Sequence, residues 1–467
     1  MRVAIIGGGI SGLSAAFYLE RERAKGAPVD YVLFESASRL GGSMLSESID
    51  GCVVEAGPDS FVSEKPAAAQ LAADLGIADQ LIGSNDEKRK TYILVNGRLV
   101  VMPDGLMFMV PTKILPTGLS PLFSWGTKLR MIAELFHPPR PMQKDETVAE
   151  MVERHFGSEM VDRLADPLLS GIYGGDASML SARAVLPRFV EMEEKYGSLS
   201  RAMLVASKKM KAAAKQPAKP RPLFTSMKNG MQQMVDAVVG QIKMNNVQLN
   251  TSVRGLQHGE QGWTVELEDR SAHFDGVILC TPARIAGQLL QATDAALGSD
   301  LQAIPYSSSV TVILGYDLDE LRGLPPGFGY LVPKTEGLRM RACTFVHNKF
   351  PHRAPADKGL LRCFLGGAGN EEVLRLGDTE ILKIVQRELN QVLKLNADPR
   401  FVRVFRWRGA MAQYGSGHLD RVNRIEKATA AIPGLALAGN AYRGIGVPDC
   451  IRTGQAAAVQ MANISKC

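Results

Sequence analysis

A charged residue and four apolar ones, Arg2-Val3-Ala4-Ile5-Ile6, open the chain as a buried strand. A glycine cluster, Gly7-Gly8-Gly9-Ile10-Ser11-Gly12, ends that run. Residues 13–25 then place Ala, Leu and Tyr on one face of a helix, and residues 30–35 form a second apolar run ending in an acid, Glu35. Strand, tight turn, helix and strand begin a doubly wound sheet, so the fold class is α/β with a Rossmann-like lobe. Short apolar runs return after residue 222. Those at 247–249, 263–267 and 277–280 read as strands of a small sheet closing on the first lobe. Those at 310–316, 361–366 and 401–407 suggest a second, antiparallel sheet. Residues 434–438 form a last parallel strand, followed by a helix from about residue 448 to 463. The first lobe is thus expected to use both ends of the chain, at 1–85, 223–300 and 400–467. An α+β substrate lobe, at 86–110 and 301–399, is inserted into it.

The stretch between these lobes has a different pattern. Leu106-Met107-Phe108-Met109-Val110 is followed by turns broken at Pro111, Pro116 and Pro121, and then by helical periodicity at 127–136, 145–156 and 158–170. Residues 111–207 are expected to be a helical subdomain with its own core. The alternative is that its Met, Phe and Trp side chains form a membrane-facing surface or the way in for substrate. Residues 208–222, KKMKAAAKQPAKPRP, are basic, Pro-rich and low in complexity. They read as a solvated linker, or as a basic contact for anionic lipid head groups.

Composition narrows the function. With 467 residues, 45% apolar and 22% charged, the chain has enough apolar content for two or three packed lobes and does not read as disordered. A net charge of +6 is mild for this length: it suits an anionic small molecule and does not point to nucleic acid. None of the six cysteines stands at C-x-x-C spacing and the seven histidines add no ligand pattern, so no metal site is expected. Scattered thiols, no leader and no apolar run of 18 residues suggest a cytoplasmic protein, at most peripheral to the inner membrane.

The glycine cluster follows a strand and opens a helix, which is the context a dinucleotide fingerprint requires. Gly7 allows the turn, Gly9 lets backbone approach a pyrophosphate, and Gly12 lets the helix pack on the strand. The phosphates would then meet Ile10 and Ser11 at the positive helix end. Glu35, 23 residues after Gly12, can accept both ribose hydroxyls of the adenosine half. Ser36-Ala37-Ser38-Arg39-Leu40-Gly41-Gly42 adds a cation and a Gly pair suited to a second diphosphate contact, which favours FAD over NAD. Gly57-Pro58-Asp59-Ser60 is a turn without bulk, able to run beside a flat ring. Near the end, Ala438-Gly439-Asn440-Ala441-Tyr442-Arg443-Gly444-Ile445-Gly446-Val447-Pro448-Asp449-Cys450 is a Gly-rich loop with Pro448 at a helix start. That helix would aim its positive end at the pyrimidine side of a reduced flavin. Trp407 could pack on the ring system.

Together these pieces resemble the flavin amine oxidase superfamily, whose FAD lobe is of the glutathione-reductase type. Within it the chain resembles the protoporphyrinogen and coproporphyrinogen oxidase family. The carrying motifs are EAGPDSF at 55–61, PLLSGIYGGD at 167–176, GFGYLVP at 327–333, RWRGAMAQYGSGH at 406–418 and GNAYRGIGVPDCI at 439–451. The resemblance implies one non-covalent FAD per chain. It would be held by the fingerprint, Glu35, Ser36, Arg39, Gly41, Gly42, Ser43, the turn from Gly57 to Ser60, Val253 in a middle strand, Trp407, and Ile445, Gly446 and Val447. It implies a macrocycle pocket lined by Phe328 and Leu331, with Gly171 and Gly174 near the flavin. Two departures stand out. Many relatives carry Asn where this chain has Asp59, and an acid there could meet pyrrole N–H groups. Relatives often have a basic residue at the position aligned with Thr91. Here the cations precede it, as Lys88, Arg89 and Lys90, and Lys90 is taken for the propionate contact.

The implied reaction is a six-electron oxidation of a porphyrinogen by dioxygen in haem biosynthesis, with hydrogen peroxide as by-product. No nucleophile–base constellation is legible and none is needed, because the flavin is the redox centre. Protoporphyrinogen IX is the expected substrate, since the Gly-Phe-Gly wall is apolar and no four-carboxylate clamp can be located. Coproporphyrinogen III is the alternative. More distant readings are an amine oxidase or desaturase, or a flavin-free binding protein of the same fold. Expected partners are the porphyrinogen, dioxygen and a ferrochelatase-type protein, with the chain a monomer or homodimer.

Overall fold

The computed structural model describes residues 1–107, 110–111, 114–140, 144–213 and 221–466. The chain divides into two compact units, Met1–Ser84 with Leu223–Pro305 and Leu419–Cys467, and Asn85–Pro222 with Tyr306–His418.

The first unit is built on a five-stranded sheet in the order Val247–Gln248, Asp30–Phe34, Arg2–Ile6, Gly276–Leu279, Leu435–Leu437. Every neighbouring pair is parallel. Its central strands are apolar because helices cover both faces. The helices Ile10–Ala24 and Val447–Ile464 cross at backbone distance. A Cβ on Gly454 would stand 2.2 Å from the Ser11 carbonyl oxygen, and the Ser14 hydroxyl donates to the Ile451 carbonyl at 3.0 Å. One grouping expected from the sequence is divided. Residues 247–248 and 276–279 join the main sheet. Residues 263–266 lie instead in a separate antiparallel sheet of Gly255–Gly259, Gly262–Glu266 and Ser271–Phe274. Short apolar runs look alike to periodicity, and hairpin partners close by in sequence captured this one.

The second unit carries a seven-stranded sheet in the order Phe401–Ala412, Tyr306–Asp317, Lys358–Gly366, Met340–Phe345, Gly329–Leu331, Thr91–Val95, Arg98–Val101. Its side chains alternate between two faces. Val310, Val312, Leu314, Tyr330, Cys343 and Cys363 pack with Ile381, Val385 and Leu389 of the helix Asp378–Leu393. The other face presents, in register across the strands, Phe405, Thr311, Phe364, Ala342, Leu331 and Ile93. At the Leu331–Ile93 end that face joins the core of the helical segment, among Val148, Met151, Leu164 and Leu169. The strand Phe401–Ala412 corrects the expected boundary at residue 400. It pairs along its length with Tyr306–Asp317, so the chain returns to the first unit only at Leu419.

Two local expectations also change. Pro116 lies inside the helix Ile114–Leu119, in its first turn, where a missing N–H costs nothing. Residues 208–213 continue the helix Leu199–Ala213 and are not linker; of the basic stretch, 214–220 lies outside the described residues, as do Phe108 and Met109.

The helical segment is tied by a buried ionic cluster. His155 Nδ1 lies 3.1 Å from Glu134 Oε1 and its Nε2 lies 3.4 Å from Glu193 Oε1. Glu134 also accepts from the Leu199 N–H at 2.6 Å and the Ser198 hydroxyl at 2.9 Å, and Arg154 pairs with Glu193 and Glu146. Burial opposes charge on His155, but the hydrogen bonds to the two carboxylates outweigh it and raise its pKa. Glu193 is likewise opposed by burial, yet bonds from His155 and Arg154 pull it down to about 2.

Linkage then sets a pH window. The raised His155 contributes stability that is fully present below its ordinary value of 6.5 and is lost as pH rises through its folded value. The depressed Glu193 contributes stability present above 4.5 and lost as pH falls towards 2. The cluster therefore stabilises most between about pH 4.5 and 6.5. His155→Ala removes the charged partner of the fully buried Glu134 and is expected to cost about 3–5 kcal/mol. Urea unfolding of wild type and variant from pH 5.5 to 8.5 checks this: the wild-type midpoint falls with pH, whereas that of the variant stays flatter. Parallel profiles would remove the titration argument.

Candidate functional site

In the first unit the strand Arg2–Ile6 hands over to Gly7, at φ +107°, whose N–H donates to the Phe34 carbonyl at 2.8 Å. The three fingerprint glycines then differ in kind. A Cβ on Gly12 would stand 1.9 Å from the Gly7 oxygen and one on Gly7 would stand 2.9 Å from the Cys280 oxygen, so the chain itself requires both. A Cβ on Gly9 would meet nothing within 4 Å, and its backbone, at φ −69°, suits any residue. What Gly9 leaves is space in front of the first turn of Ile10–Ala24. Ile10 and Ser11 begin that turn, which contains no acidic residue. Free N–H groups facing open space without a competing carboxylate make an anion cradle. Such a cradle could hold a pyrophosphate.

Glu35 ends its strand beside the cradle. Its Oε2 accepts from the Gly8 N–H at 2.6 Å; its Oε1 accepts from the Ala37 N–H at 2.8 Å and the Ser36 hydroxyl at 3.3 Å. A carboxylate keeps further lone pairs for ligand hydroxyls. Arg39, the cation expected at a diphosphate, also makes contacts within its own loop. It donates to the carbonyls of Leu40 at 3.0 Å and Met44 at 3.3 Å, and to that of Gly42. Thus it braces the loop that presents Gly41, Gly42 and Ser43. The Gly41 N–H reaches the Gly8 carbonyl at 2.8 Å, and a Cβ on Gly42 would stand 3.2 Å from Gly9 Cα. Gly57 is needed where the chain passes Ser43, whose carbonyl oxygen is 1.9 Å from its Cβ position. Beyond Pro58, the Asp59 carbonyl accepts from the Ser226 hydroxyl at 2.6 Å and its carboxylate from the Ser60 hydroxyl at 2.8 Å. Val253 is not in a strand; it follows Val247–Gln248 in an irregular stretch whose Thr251 N–H donates to the Glu35 carbonyl at 2.9 Å.

At the C-terminal loop, Gly446 is the residue preceding the helix, Val447 is its first residue and Pro448 its second. Sequence reasoning missed the charge there. The buried Asp449 accepts from the Gly446 N–H at 3.2 Å and pairs with Lys65 Nζ at 2.6 Å. An acid three residues after a helix cap is a recognisable capping signal, but Lys65 lies 384 residues away. Asp449 offsets the positive helix end, and Lys65 offsets Asp449 in turn.

In the second unit, a Cβ on Gly171 of the helix Asp166–Tyr173 would lie 3.6 Å from Leu331 Cδ2, in ordinary contact. Gly174 ends that helix, its Cβ position 3.0 Å from the Ser307 hydroxyl. Gly171, Gly174 and Leu331 therefore gather at one face of the seven-stranded sheet, and Trp407 stands opposite Ser309 on its edge strand. Phe328 is buried, its N–H donating to the Lys90 carbonyl at 2.8 Å. The Lys90 side chain is exposed, with Lys88 and Arg89 beside it. No cluster of three metal-ligating side chains occurs among the described residues.

Residues 10–462 match the family described as flavin containing amine oxidoreductase. Coproporphyrinogen III oxidase of Bacillus subtilis is 35% identical, over 97% of this chain and 96% of that protein. The coproporphyrinogen III oxidase of Staphylococcus aureus is 30% identical, over 98% of each. Protoporphyrinogen oxidase 1 of Arabidopsis thaliana, a chloroplast protein, is 29% identical over 98% of this chain and 87% of its own length. A solved structure from Exiguobacterium sp. 255-15, provisionally described as a protoporphyrinogen oxidase, aligns with TM-score 0.88 at 29% identity over 99% of both chains. Cyclohexylamine oxidase from Brevibacterium oxydans, at 19% identity and TM-score 0.69, shares the fold. The chain belongs to the flavin-containing amine oxidoreductases and, among them, to the FAD-dependent porphyrinogen oxidases.

Proposed function

We propose that the chain oxidises coproporphyrinogen III to coproporphyrin III with dioxygen. The observation that carries this is its likeness to two coproporphyrinogen III oxidases at 30% identity or more over nearly their whole length. Protoporphyrinogen IX, favoured by the apolar wall at residues 327–329, is the second reading. That wall does not separate the two, because they share the same apolar macrocycle. They differ in their carboxylate arms, four against two, and a lone basic run does not count arms.

In this reading the first unit binds the cofactor. The cradle at Gly9 takes the pyrophosphate, Glu35 the ribose hydroxyls, and the brace of Arg39 keeps Gly41, Gly42 and Ser43 in place. Gly57 to Ser60 and Ile445 to Val447 supply backbone with little bulk for the ring, and Lys65 with Asp449 sets the charge at the helix end. FAD held by these residues would supply the redox chemistry, as acceptor of hydride from a bridging carbon and donor of electrons to dioxygen. Three such oxidations remove three hydrides and three protons, consume three dioxygen molecules and release three of peroxide. The second unit offers Leu331, Phe328 and the small Gly171 and Gly174 as apolar surface for the macrocycle, and Lys90 or Arg89 for a propionate.

Anaerobic mixing of the holoprotein with each porphyrinogen, followed by dioxygen, tests the substrate. Coproporphyrinogen III is expected to bleach the flavin faster and to yield three peroxide per porphyrin. Faster bleaching by protoporphyrinogen IX would reverse the order of the two readings, and bleaching by a simple amine alone would defeat both.

Gly9→Val should fold and lose FAD, because no atom of the chain lies within 4 Å of a Cβ there, whereas a bound pyrophosphate would meet the side chain. Flavin absorbance after gel filtration checks this, and denatured wild type should release free FAD. A variant that retains full flavin content would displace the site.

Lys90→Ala or Arg89→Ala should raise KM several-fold with kcat little changed, since a propionate contact exists in ground and transition states alike. Steady-state kinetics at low salt distinguish this from a merely solvated charge run, which would leave both constants as in wild type.

A further inference from the structure

The strand Met340–Phe345 carries one residue too many for its neighbour. Met340 pairs with Leu365 and Ala342 with Phe364, so Arg341 is a bulge that no residue of Lys358–Gly366 opposes. Met340 and Cys343 both belong to the core beneath the helix Asp378–Leu393. The two residues between them, Arg341 and Ala342, therefore share the other face, where Ala342 stands opposite Leu331. The bulge adds a cation to the row of apolar side chains that the macrocycle would meet.

That cation is not used by the fold. The Arg341 carbonyl accepts from the Val332 N–H at 2.9 Å, which fixes its backbone. The residue is half-buried, and burial draws the pKa of its guanidinium down, against the charges of Asp166, Glu388 and Asp176. These carboxylates act on it through space only, and each is engaged elsewhere. Asp166 accepts from the Ala177 N–H at 3.0 Å and from Lys334 Nζ at 3.1 Å. Asp176 accepts from Lys334 Nζ at 2.6 Å and from the Ser178 N–H at 2.8 Å. Glu388 accepts from the N–H groups of Arg339 at 3.0 Å and Met340 at 2.9 Å. A guanidinium stays protonated and offers its N–H donors as a planar fork. Partly desolvated, with the nearby acids already bonded, it is suited to a carboxylate that arrives with a ligand.

Its place on the sheet selects that carboxylate. Just beyond the two ends of Gly329–Leu331, the Phe328 N–H meets the Lys90 carbonyl and the Val332 N–H meets that of Arg341. The exposed run Lys88-Arg89-Lys90 and Arg341 thus flank this strand on opposite sides and at opposite ends, about 13 Å apart along it. Protoporphyrinogen IX has its propionates on two adjacent pyrroles, so both leave one edge of the ring. Coproporphyrinogen III has one on every pyrrole, so carboxylates leave opposite edges. Cations at both ends of the strand match the second pattern.

We infer that Arg341 is a specificity-determining residue, its guanidinium binding a propionate on the edge of coproporphyrinogen III where protoporphyrinogen IX carries vinyl groups. The inference rests on the reading of this sheet face as the macrocycle site of a coproporphyrinogen oxidase.

Steady-state oxidation of both porphyrinogens by flavin-loaded wild type, Arg341→Met and Arg341→Lys tests it. Arg341→Met should lower kcat/KM for coproporphyrinogen III on the order of tenfold, mainly through KM, and leave that for protoporphyrinogen IX within about twofold of wild type. Arg341→Lys keeps the charge but not the fork and should recover part of the loss. Without turnover, fluorescence titration with the product coproporphyrin III should show Kd raised by a similar factor in Arg341→Met, and a wild-type affinity that weakens with salt. A ratio of the two kcat/KM values that is the same in Arg341→Met as in wild type would overturn the inference, whichever substrate wild type prefers. So would an equal loss on both substrates with a lowered Tm, which would make Arg341 a structural residue, or an unchanged Kd for coproporphyrin III. The wild-type ratio alone bears on the proposed substrate and the change in that ratio on Arg341, so the two readings can fail separately.

Discussion

The first unit depends on backbone passing backbone with no side chain between. The Gly7 oxygen stands 1.9 Å from where a Cβ of Gly12 would be, the Ser43 oxygen 1.9 Å from that of Gly57, and the Ser11 oxygen 2.2 Å from that of Gly454. These contacts bring a strand end, a loop and two helices closer than any side chain permits. The same closeness leaves helical N–H groups facing open space at Gly9. Glu35 joins the arrangement by holding Gly8. A residue suited to a ribose is thereby also part of the turn that would bind the phosphates, so the two halves of the cradle are mechanically linked.

The second unit solves a different problem. Its seven-stranded sheet covers one face with the helix Asp378–Leu393 and leaves part of the other to a row of apolar residues spread over the strands. A macrocycle is large, flat and mostly apolar, and a sheet face of half-buried Phe and Leu is a natural match in shape and polarity.

The helical segment shows how a polar core can dictate what a surface displays. Glu134, His155, Glu193 and Arg154 form a buried network that is nearly fully hydrogen-bonded. Such networks add little net stability against an apolar core, but they specify orientation strongly. Here they fix which side of Trp125–Glu134 faces outward, and it is the apolar side.

The cofactor lobe was legible in the sequence because close backbone contact is encoded locally, as missing side chains at set spacings between a strand and a helix. Gly7, Gly9, Gly12, Glu35 and the Gly57-Pro58 turn needed no partner to be recognised, and the alternating runs at 310–316 and 361–366 announced an antiparallel sheet. Tertiary structure alone decided which strands pair. The grouping of 401–407 with 310–316 and 361–366 was likewise readable, but the return to the first unit came at Leu419 and not at residue 400, 263–266 left the main sheet, and Val253 lies in no strand. Tertiary structure also added loop-bracing bonds to Arg39 and joined Lys65 to Asp449. Strand partners and ion pairs are chosen by groups up to hundreds of residues apart, and the burial of Glu134 beneath an exposed Trp125 depends on two other segments, at His155 and at Ser198 to Ser200. No local period carries that information, because the free energy that settles it resides in contacts that exist only once the chain has folded.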